Sequence, residues 1–494
     1  MRPWIIVGGG ACGAVIASRG TENGDVPVTL LEAGPDYPTE VPNDLKDGRR
    51  NSIHRHDWGY HHTPTTGQRI PFSFPRGRVM GGSSAVNTCI AVRGRPYDYD
   101  EWELPDWTFE RCLAAFKRLE NDLDVHDEWH GDSGPIPLRR HTRDELVPWQ
   151  AAFMDSCREH ELPACDDHNH PEKWGWGPHA MNKVGGERMS VARGYLTRSV
   201  RKRDNLQLRP EHLVRRVLFE NKTVIGVEVE RAGRIERVMS DRVILCGGSI
   251  NTLGILLRSG IGPRERVQAL GVDLIMDSAS VGEKLLDHPG SALFFLPRPG
   301  VVKLNDPLIQ TAYRYSGESR PYPFDMQLQA GSVLYFPWVT VPLVSLMTQV
   351  GKPRGYGTID YTSADVRHKP RIHTRAFEDQ EDRQAAIASM RLAYEISQRQ
   401  PMRDMAIMIW PRPKTLFSDA AHEWIRGACD SGYHPCGTAP MGKAVDSRGR
   451  VKGVRGLWIA DMSIVPTVPS ANTHLTAVMI GERFGEWLRD GGLE

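Results

Sequence analysis

Short apolar runs separated by glycine-dense turns set the rhythm of this chain, and the pattern is clearest at its start. Trp4 to Val7 is an unbroken apolar run and reads as a buried strand. Ala14 to Arg19 has helical spacing, and Val28 to Leu31 reads as a second buried strand. Pro35 to Arg76 is polar, rich in His, Gly and Pro, and without a clear period, which predicts extended surface coil. Leu, Phe and Ala recur at helical spacing in Pro105–Leu123 and Val147–Glu161. From Leu206 the period shortens. Leu206–Leu208, Val214–Glu220, Val224–Arg231 and Arg237–Cys246 predict a small meander leading into a strand at Val243–Leu245. That strand runs into Gly247-Gly248 and an apolar helix, Leu253–Ser259, repeating the order seen at the amino terminus. Further on, Asp325–Gln329, Ser332–Phe336 and Gly357–Thr362 read as strands and Ala385–Gln398 as a helix. A strand at Leu457–Ala460 and a helix at Leu475–Leu488 close the chain.

The first strand is followed at once by Gly8, Gly10 and Gly13, the spacing G-x-G-x-x-G. The first glycine allows a tight turn, the second a close approach of backbone to a pyrophosphate, and the third close packing of helix on strand. The unpaired N–H groups of the helix start then face the phosphates. Glu32 ends the second strand, about twenty residues past the last glycine, where an acid holds a ribose hydroxyl. Strand, glycines, helix, strand and acid in register predict a dinucleotide site.

Composition narrows the class. The chain has 494 residues, enough for two or three domains, and a formal charge of +1 that gives no argument for nucleic acid or an anionic membrane as partner. Arg198–Arg203 is the densest basic run and reads as a solvated helix end. Eight scattered cysteines without a C-x-x-C suit a reducing compartment. No apolar run approaches the ~20 residues of a membrane span, and the first strand begins near Met1, so a cytoplasmic location is expected. The histidines His54, His56, His61 and His62, and His168 and His170 beside Asp166 and Asp167, lack the spacing of metal ligands, and no metal is expected.

Longer motifs carry a resemblance. Gly77–Asn87 (GRVMGGSSAVN) is similar to the first signature of the glucose–methanol–choline (GMC) oxidoreductases, FAD enzymes acting mainly on alcohols, and Gly247–Pro263 to the second. Val281–Pro289 (VGEKLLDHP), Tyr433–Thr438 (YHPCGT) and Ile459–Asn472 resemble further blocks of that family, in the right order over nearly the whole chain. The resemblance implies an α/β fold, α+β overall, with a Rossmann-like FAD-binding domain interleaved with a substrate domain built on an antiparallel sheet flanked by helices. We assign residues 1–296 with 430–494 to the FAD domain, including a cofactor-covering and helical insertion at 35–200, and 297–429 to the substrate domain.

The same resemblance implies site roles. Gly8, Gly10, Gly13, Glu32, Val79, Gly82, Asn87, Val214, Asp461 and Thr476 are expected at the cofactor. Val86 stands where some members carry a flavin-linking His, so the FAD is expected to be non-covalent. His434 is expected as the base and Asn472 as the partner that holds the substrate oxygen, because alcohol oxidation needs the hydroxyl proton removed as hydride leaves carbon. His474 departs from the Asn common at its position; a cofactor contact, a second base and a plain pocket wall stay open for it. Trp58 and Tyr60 are read as near the cofactor or as packing, and Tyr335, Phe336 and Trp338 as pocket lining or core. The expected partners are a small-molecule alcohol and O₂ or another electron acceptor. A hydroxynitrile lyase that keeps FAD only as structure is the alternative function. An NAD enzyme is disfavoured, since the Gly77–Asn87 loop and the His/Asn block have no role there.

Overall fold

A computed structural model describes residues 3–68, 70–318, 320–336 and 339–493. Five short parallel strands form its central sheet: β1 (Trp4–Val7), β2 (Val28–Leu31), β3 (Leu206–Arg209), β4 (Val243–Leu245) and β5 (Leu457–Ile459), in the order β3-β2-β1-β4-β5. All residues of β1, β2, β4 and β5 are buried, which is why they read as continuous apolar runs. The sheet therefore joins the first residues of the chain to nearly the last. Helix α1 (Gly13–Gly20) follows β1, α2 (Gly248–Arg258) follows β4, and α3 (Thr473–Arg489) closes the chain. Small residues let α3 lie tight on α1: a Cβ on Gly481 would stand 2.8 Å from the Val15 Cβ, and one on Gly485 2.5 Å from that of Arg19.

A second, antiparallel sheet carries the strands 406–410, 289–297, 344–350, 326–331, 311–315 and 175–178 in that order, with 429–431 paired to the start of 289–297. Its strands alternate strictly. Leu293, Phe295, Leu328, Ala330, Val344 and Leu346 face a core shared with Trp149 and Phe153 of helix Pro148–Glu159 and Met390, Ala393 and Ile396 of helix Gln380–Ser397. The residues between them face a cavity. This sheet draws strands from both sides of residue 296, so the two units interleave more deeply than a single cut conveys.

Several sequence expectations need correction. Leu206–Arg209 does not join the meander; it pairs in parallel with β2 at the edge of the central sheet, and three alternating residues cannot tell one sheet from another. The meander is the antiparallel trio 213–220, 223–231 and 234–239, and the run Arg237–Cys246 breaks at 240–242 before β4. Pro35–Arg76 is not all coil: Tyr60–Thr63 and Phe72–Phe74 pair within a four-stranded sheet. There His62 occupies a buried position and hides the apolar alternation. The helix read from Ala385 starts at Gln380, capped by the Asp379 carboxylate accepting from the N–H groups of Glu381 and Asp382. Leu334–Phe336 forms a small hairpin with Val339–Val341, outside the large antiparallel sheet. Trp338 lies outside the described residues.

Candidate active site

Between the two sheets lies a cavity of about 1400 Å³, larger than the ~300–1,000 Å³ of an ordinary ligand pocket. One wall is backbone. Gly8 has φ +103°, and a Cβ there would sit 2.4 Å from the Cys246 carbonyl oxygen; a Cβ on Gly13 would meet the Gly8 oxygen at 1.9 Å. These two glycines set the turn and the packing of α1 on β1. Gly10 faces Gly82, where a Cβ would come within 2.7 Å of the Gly10 Cα, and the Gly81 N–H donates to the Gly9 carbonyl at 2.7 Å. The two glycine-rich loops, seventy residues apart in sequence, thus press backbone on backbone at the cavity floor.

Glu32 lines the cavity and accepts from the N–H of Gly9 and of Gly34, both at 2.8 Å. Burial pushes its carboxyl up to about 7, against the pull of those N–H groups and Arg78. Asp461 also lines the cavity, but its oxygens are taken up within the protein, accepting from Gly248 N–H at 2.8 Å, Thr252 Oγ1 at 2.6 Å and Ser463 N–H at 2.9 Å. It fixes the start of α2. Val214 and Asn87 stand on the wall, and Asn87 Oδ1 accepts from Cys89 N–H at 3.0 Å. Trp58 and Tyr60 stack at 6.0 Å between centroids and line the same space.

Three expected cofactor residues do not line the cavity: Gly13, which packs against Gly8 and Cys246 behind the turn, Val79 and Thr476. Val79 is packed with Leu45, Ala85 and Val86 beneath the glycine loop. The Thr476 hydroxyl is fully buried and bonded to the Tyr99 hydroxyl at 3.0 Å, because α3 turns it away from the cavity toward helix Pro96–Asp100. Val86 is buried and apolar, so it offers no nucleophile for a covalent link.

His434 and Asn472 meet on the cavity wall, with Asn472 Nδ2 3.3 Å from His434 Nε2. Their geometry depends on His288, which the sequence reading quoted in a motif but gave no role. His288 Nε2 donates to the Pro469 carbonyl at 2.8 Å, so its Nδ1 is the accepting nitrogen. That Nδ1 accepts from Gln349 Nε2 at 2.9 Å and faces His434 Nδ1 at 2.9 Å. Two facing lone pairs would repel, so His434 donates from Nδ1, sharing the His288 lone pair with the Gln349 amide, and presents a bare Nε2 to Asn472 and the cavity. Burial, His288 and the Arg76 guanidinium all push the His434 imidazole well below its ordinary range, so it rests neutral.

The backbone around it is held as firmly. Asp287 accepts from the His288 and His434 N–H groups, both at 2.8 Å, and from the Ser431 hydroxyl. Tyr433 adopts φ +63°, a conformation costing a non-glycine residue roughly 1–3 kcal/mol, and is kept there by Ser431 Oγ on its N–H at 2.6 Å and Arg76 on its carbonyl at 2.7 Å. Arg188 does similar work under the glycine loop. It is fully buried and donates to the carbonyls of Leu45, Ala85, Asn87 and Arg50 at 2.7–3.0 Å, with no carboxylate among its partners in the described residues. Nothing in its sequence context marked it out.

His474 also lines the cavity; its Nε2 and the Asn472 Oδ1 find no hydrogen-bond partner among the described residues. Burial lowers the His474 imidazole to about 4. The glycine cradle, the acid at the end of β2 and these unsatisfied atoms fit a large polar cofactor bound along the cavity.

The comparisons agree with this architecture. Residues 3–290 match the amino-terminal and residues 353–481 the carboxyl-terminal domain of the GMC oxidoreductases. The chain belongs to the GMC oxidoreductase family, and FAD is its cofactor. It is 32% identical to a 5-(hydroxymethyl)furfural oxidase of Methylovorus sp., with 98% of each chain covered. An oxygen-dependent choline dehydrogenase of Photobacterium profundum is 30% identical, over 97% of this chain and 91% of the relative. Among solved structures, pyridoxine 4-oxidase from Mesorbium loti superposes with a TM-score of 0.90 at 25% identity, covering 98% of this chain and 99% of that one. Among the described residues, no helix is long and apolar enough to cross a membrane.

Proposed function

We propose that the protein oxidises an alcohol CH–OH to a carbonyl, with His434 as base and Asn472 as the group that holds the oxygen. The observation that carries this reading is the fixed tautomer of His434, whose Nδ1–H is committed to His288 while Nε2 stands bare beside Asn472. A hydroxyl seated there gives its proton to Nε2 while the Asn472 amide donates to the developing alkoxide. His288 and Gln349 keep the ring aligned, and the neutral resting state keeps Nε2 available. When bound, FAD supplies the two-electron acceptor for the hydride leaving the carbon. Glu32, Gly10, Gly82, Asn87, Val214 and His474 are the residues we assign to holding it, without a covalent bond.

The named relatives favour an alcohol as substrate, and O₂ or another acceptor would take the electrons onward. Eight unbridged cysteines favour a cytoplasmic site of action. The test is anaerobic bleaching of the flavin across an alcohol panel, with reoxidation by air or an artificial acceptor. His434→Ala should retain FAD and slow bleaching by roughly 10²–10⁴-fold. Unchanged bleaching in that variant would remove His434 from the reaction, and release of cyanide from a hydroxynitrile without bleaching would replace oxidation by lyase chemistry.

A further inference from the structure

The antiparallel sheet carries a run of side-chain amides on its cavity face, and each is oriented by its neighbour. On strand 326–331, Leu328 and Ala330 point into the core behind the sheet, while Gln329 between them is half-buried and lines the cavity. Gln349 pairs with Gln327 and Met347 with Gln329 across the sheet. The Gln349 amide bonds His288 Nδ1 at 2.9 Å, so this run begins against the catalytic imidazoles.

The orientation of Gln329 is set from both flanks. Arg314 stands opposite Gln327 on strand 311–315, and a guanidinium only donates. Gln327 therefore keeps its oxygen on the Arg314 side and sends its Nε2 to Gln329 Oε1, 3.3 Å away. From the other flank His179 Nε2 stands 3.4 Å from the same oxygen. Burial pushes the His179 ring down to about 3, so it is neutral and spends its single N–H there, while its Nδ1 has no partner among the described residues. With its oxygen occupied twice, Gln329 turns its Nε2 to the cavity, where no described residue accepts from it. Its own row offers no acceptor, since Ala292, Met347 and Ala312 are apolar. Asp430, with a side chain 40% exposed, stands at the far end of the Gln349 row beside Gly290 and bonds His62 and Tyr433. It is three strand spacings from Gln327, roughly 14 Å.

A ligand body that displaces water from this row must bring an acceptor to the Gln329 amide or leave it unpaired. Gln329 is the diagonal neighbour of Gln349, with roughly 7–8 Å between them. That places its amide about one aromatic ring beyond a hydroxyl seated at His434. Resting on the alcohol-oxidation reading, we infer that Gln329 is a specificity residue whose amide donates to an oxygen at the far end of the substrate. The favoured alcohols then carry a second, carbonyl-type oxygen about one ring length from the reacting hydroxyl, with Met347 against the body between the two.

The test uses the FAD-loaded protein and two alcohols of nearly the same shape, 4-acetylbenzyl alcohol and 4-isopropenylbenzyl alcohol, which differ by a carbonyl oxygen in place of a methylene group. The dependence of anaerobic bleaching on alcohol concentration gives a dissociation constant for each, and perturbation of the oxidised flavin spectrum gives it where bleaching is slow. The parent protein should bind the ketone roughly three- to tenfold more tightly. Gln329→Leu should bring that ratio to about one. Gln329→Glu, which offers an acceptor in place of the donor, should turn it below one, whereas a merely structural role would move both constants together. Equal or weaker binding of the ketone by the parent protein overturns the inference, as does a preference that survives in Gln329→Leu, or failure of both alcohols to bind. The expected ratios without bleaching by either alcohol keep Gln329 as the specificity residue and remove the oxidation reading instead. The parent protein can overturn the inference by itself, so misfolding of a variant does not shelter it.

Discussion

The two walls of the cavity are built on opposite principles. On the central-sheet side, Gly8, Gly10, Gly13 and Gly82 shape the surface by having no side chains, and the contact is made by N–H groups and carbonyls. On the antiparallel-sheet side, alternating side chains make the surface, and the backbone is spent on pairing strands. At Gly8, Gly13 and Gly82 even a Cβ collides with backbone, while at Gly10 the nearest protein atom would be 3.8 Å away. A wall of side chains, by contrast, can be rewritten without disturbing the sheet beneath it. Chemistry common to many proteins sits naturally on the first, and choice of substrate on the second.

The largest expected effect lies on the backbone wall. Gly13→Ala pushes a methyl group to 1.9 Å from the Gly8 carbonyl oxygen and 3.1 Å from the Cys246 Cβ. The variant should lose its flavin and much of its folded yield, read as absorbance near the flavin bands per mole of protein. A stoichiometric yellow protein would refute the rigid-wall account. Next comes the support of the base. His288→Asn removes the acceptor for His434 Nδ1–H and frees the ring to flip, so bleaching by alcohol should slow by roughly tenfold or more, part of the ~10²–10⁴ a positioned base provides. FAD content should stay whole, and an unaltered rate would mean the tautomer is held by something else.

Acid should sharpen the contrast more gently. His288, His141 and His474 are pushed from 6.5 to about 4, chiefly by burial. In the unfolded chain these rings take up protons near 6.5, while the folded protein refuses them until about 4. Their contribution to stability is therefore complete above pH 6.5 and drains away as pH falls toward 4. The thermal midpoint of the FAD-free protein should drop across that window, and a flat profile would contradict the buried neutral rings. The smallest effect is expected at Thr476→Val, which removes one hydroxyl bonded to Tyr99 and should cost about 1–2 kcal/mol in denaturant unfolding. Flavin content should not change; a loss would return Thr476 to the cofactor.

Legibility followed the same division. The backbone wall was readable because glycine at a fixed spacing after a buried strand admits few geometries, and β1, α1, β2 and Glu32 stand where the pattern put them. His434 and Asn472, thirty-eight residues apart, were readable only through resemblance, since nothing local says that two loops will meet. His288 escaped because its part depends on which ring nitrogen faces Pro469, a matter of three-dimensional placement. Arg188 escaped because an arginine that serves carbonyls looks, in sequence, like any surface arginine. Strands 311–315 and 344–350 went unread because their buried positions include Thr311, Arg314, Ser345 and Gln349, which blur the apolar alternation.

β1 is flanked by β2 and β4, but the far edge of β4 is covered by β5 and the outer flank of α1 by α3, some 450 residues further along the chain. A nascent chain lacking its last forty residues would leave β4 with a raw edge and α1 with a bare apolar flank, exposed to chaperones and proteases. Holding the cofactor on the glycine turn is thereby tied to residues that lie at the opposite end of the sequence and cover the sheet beside it.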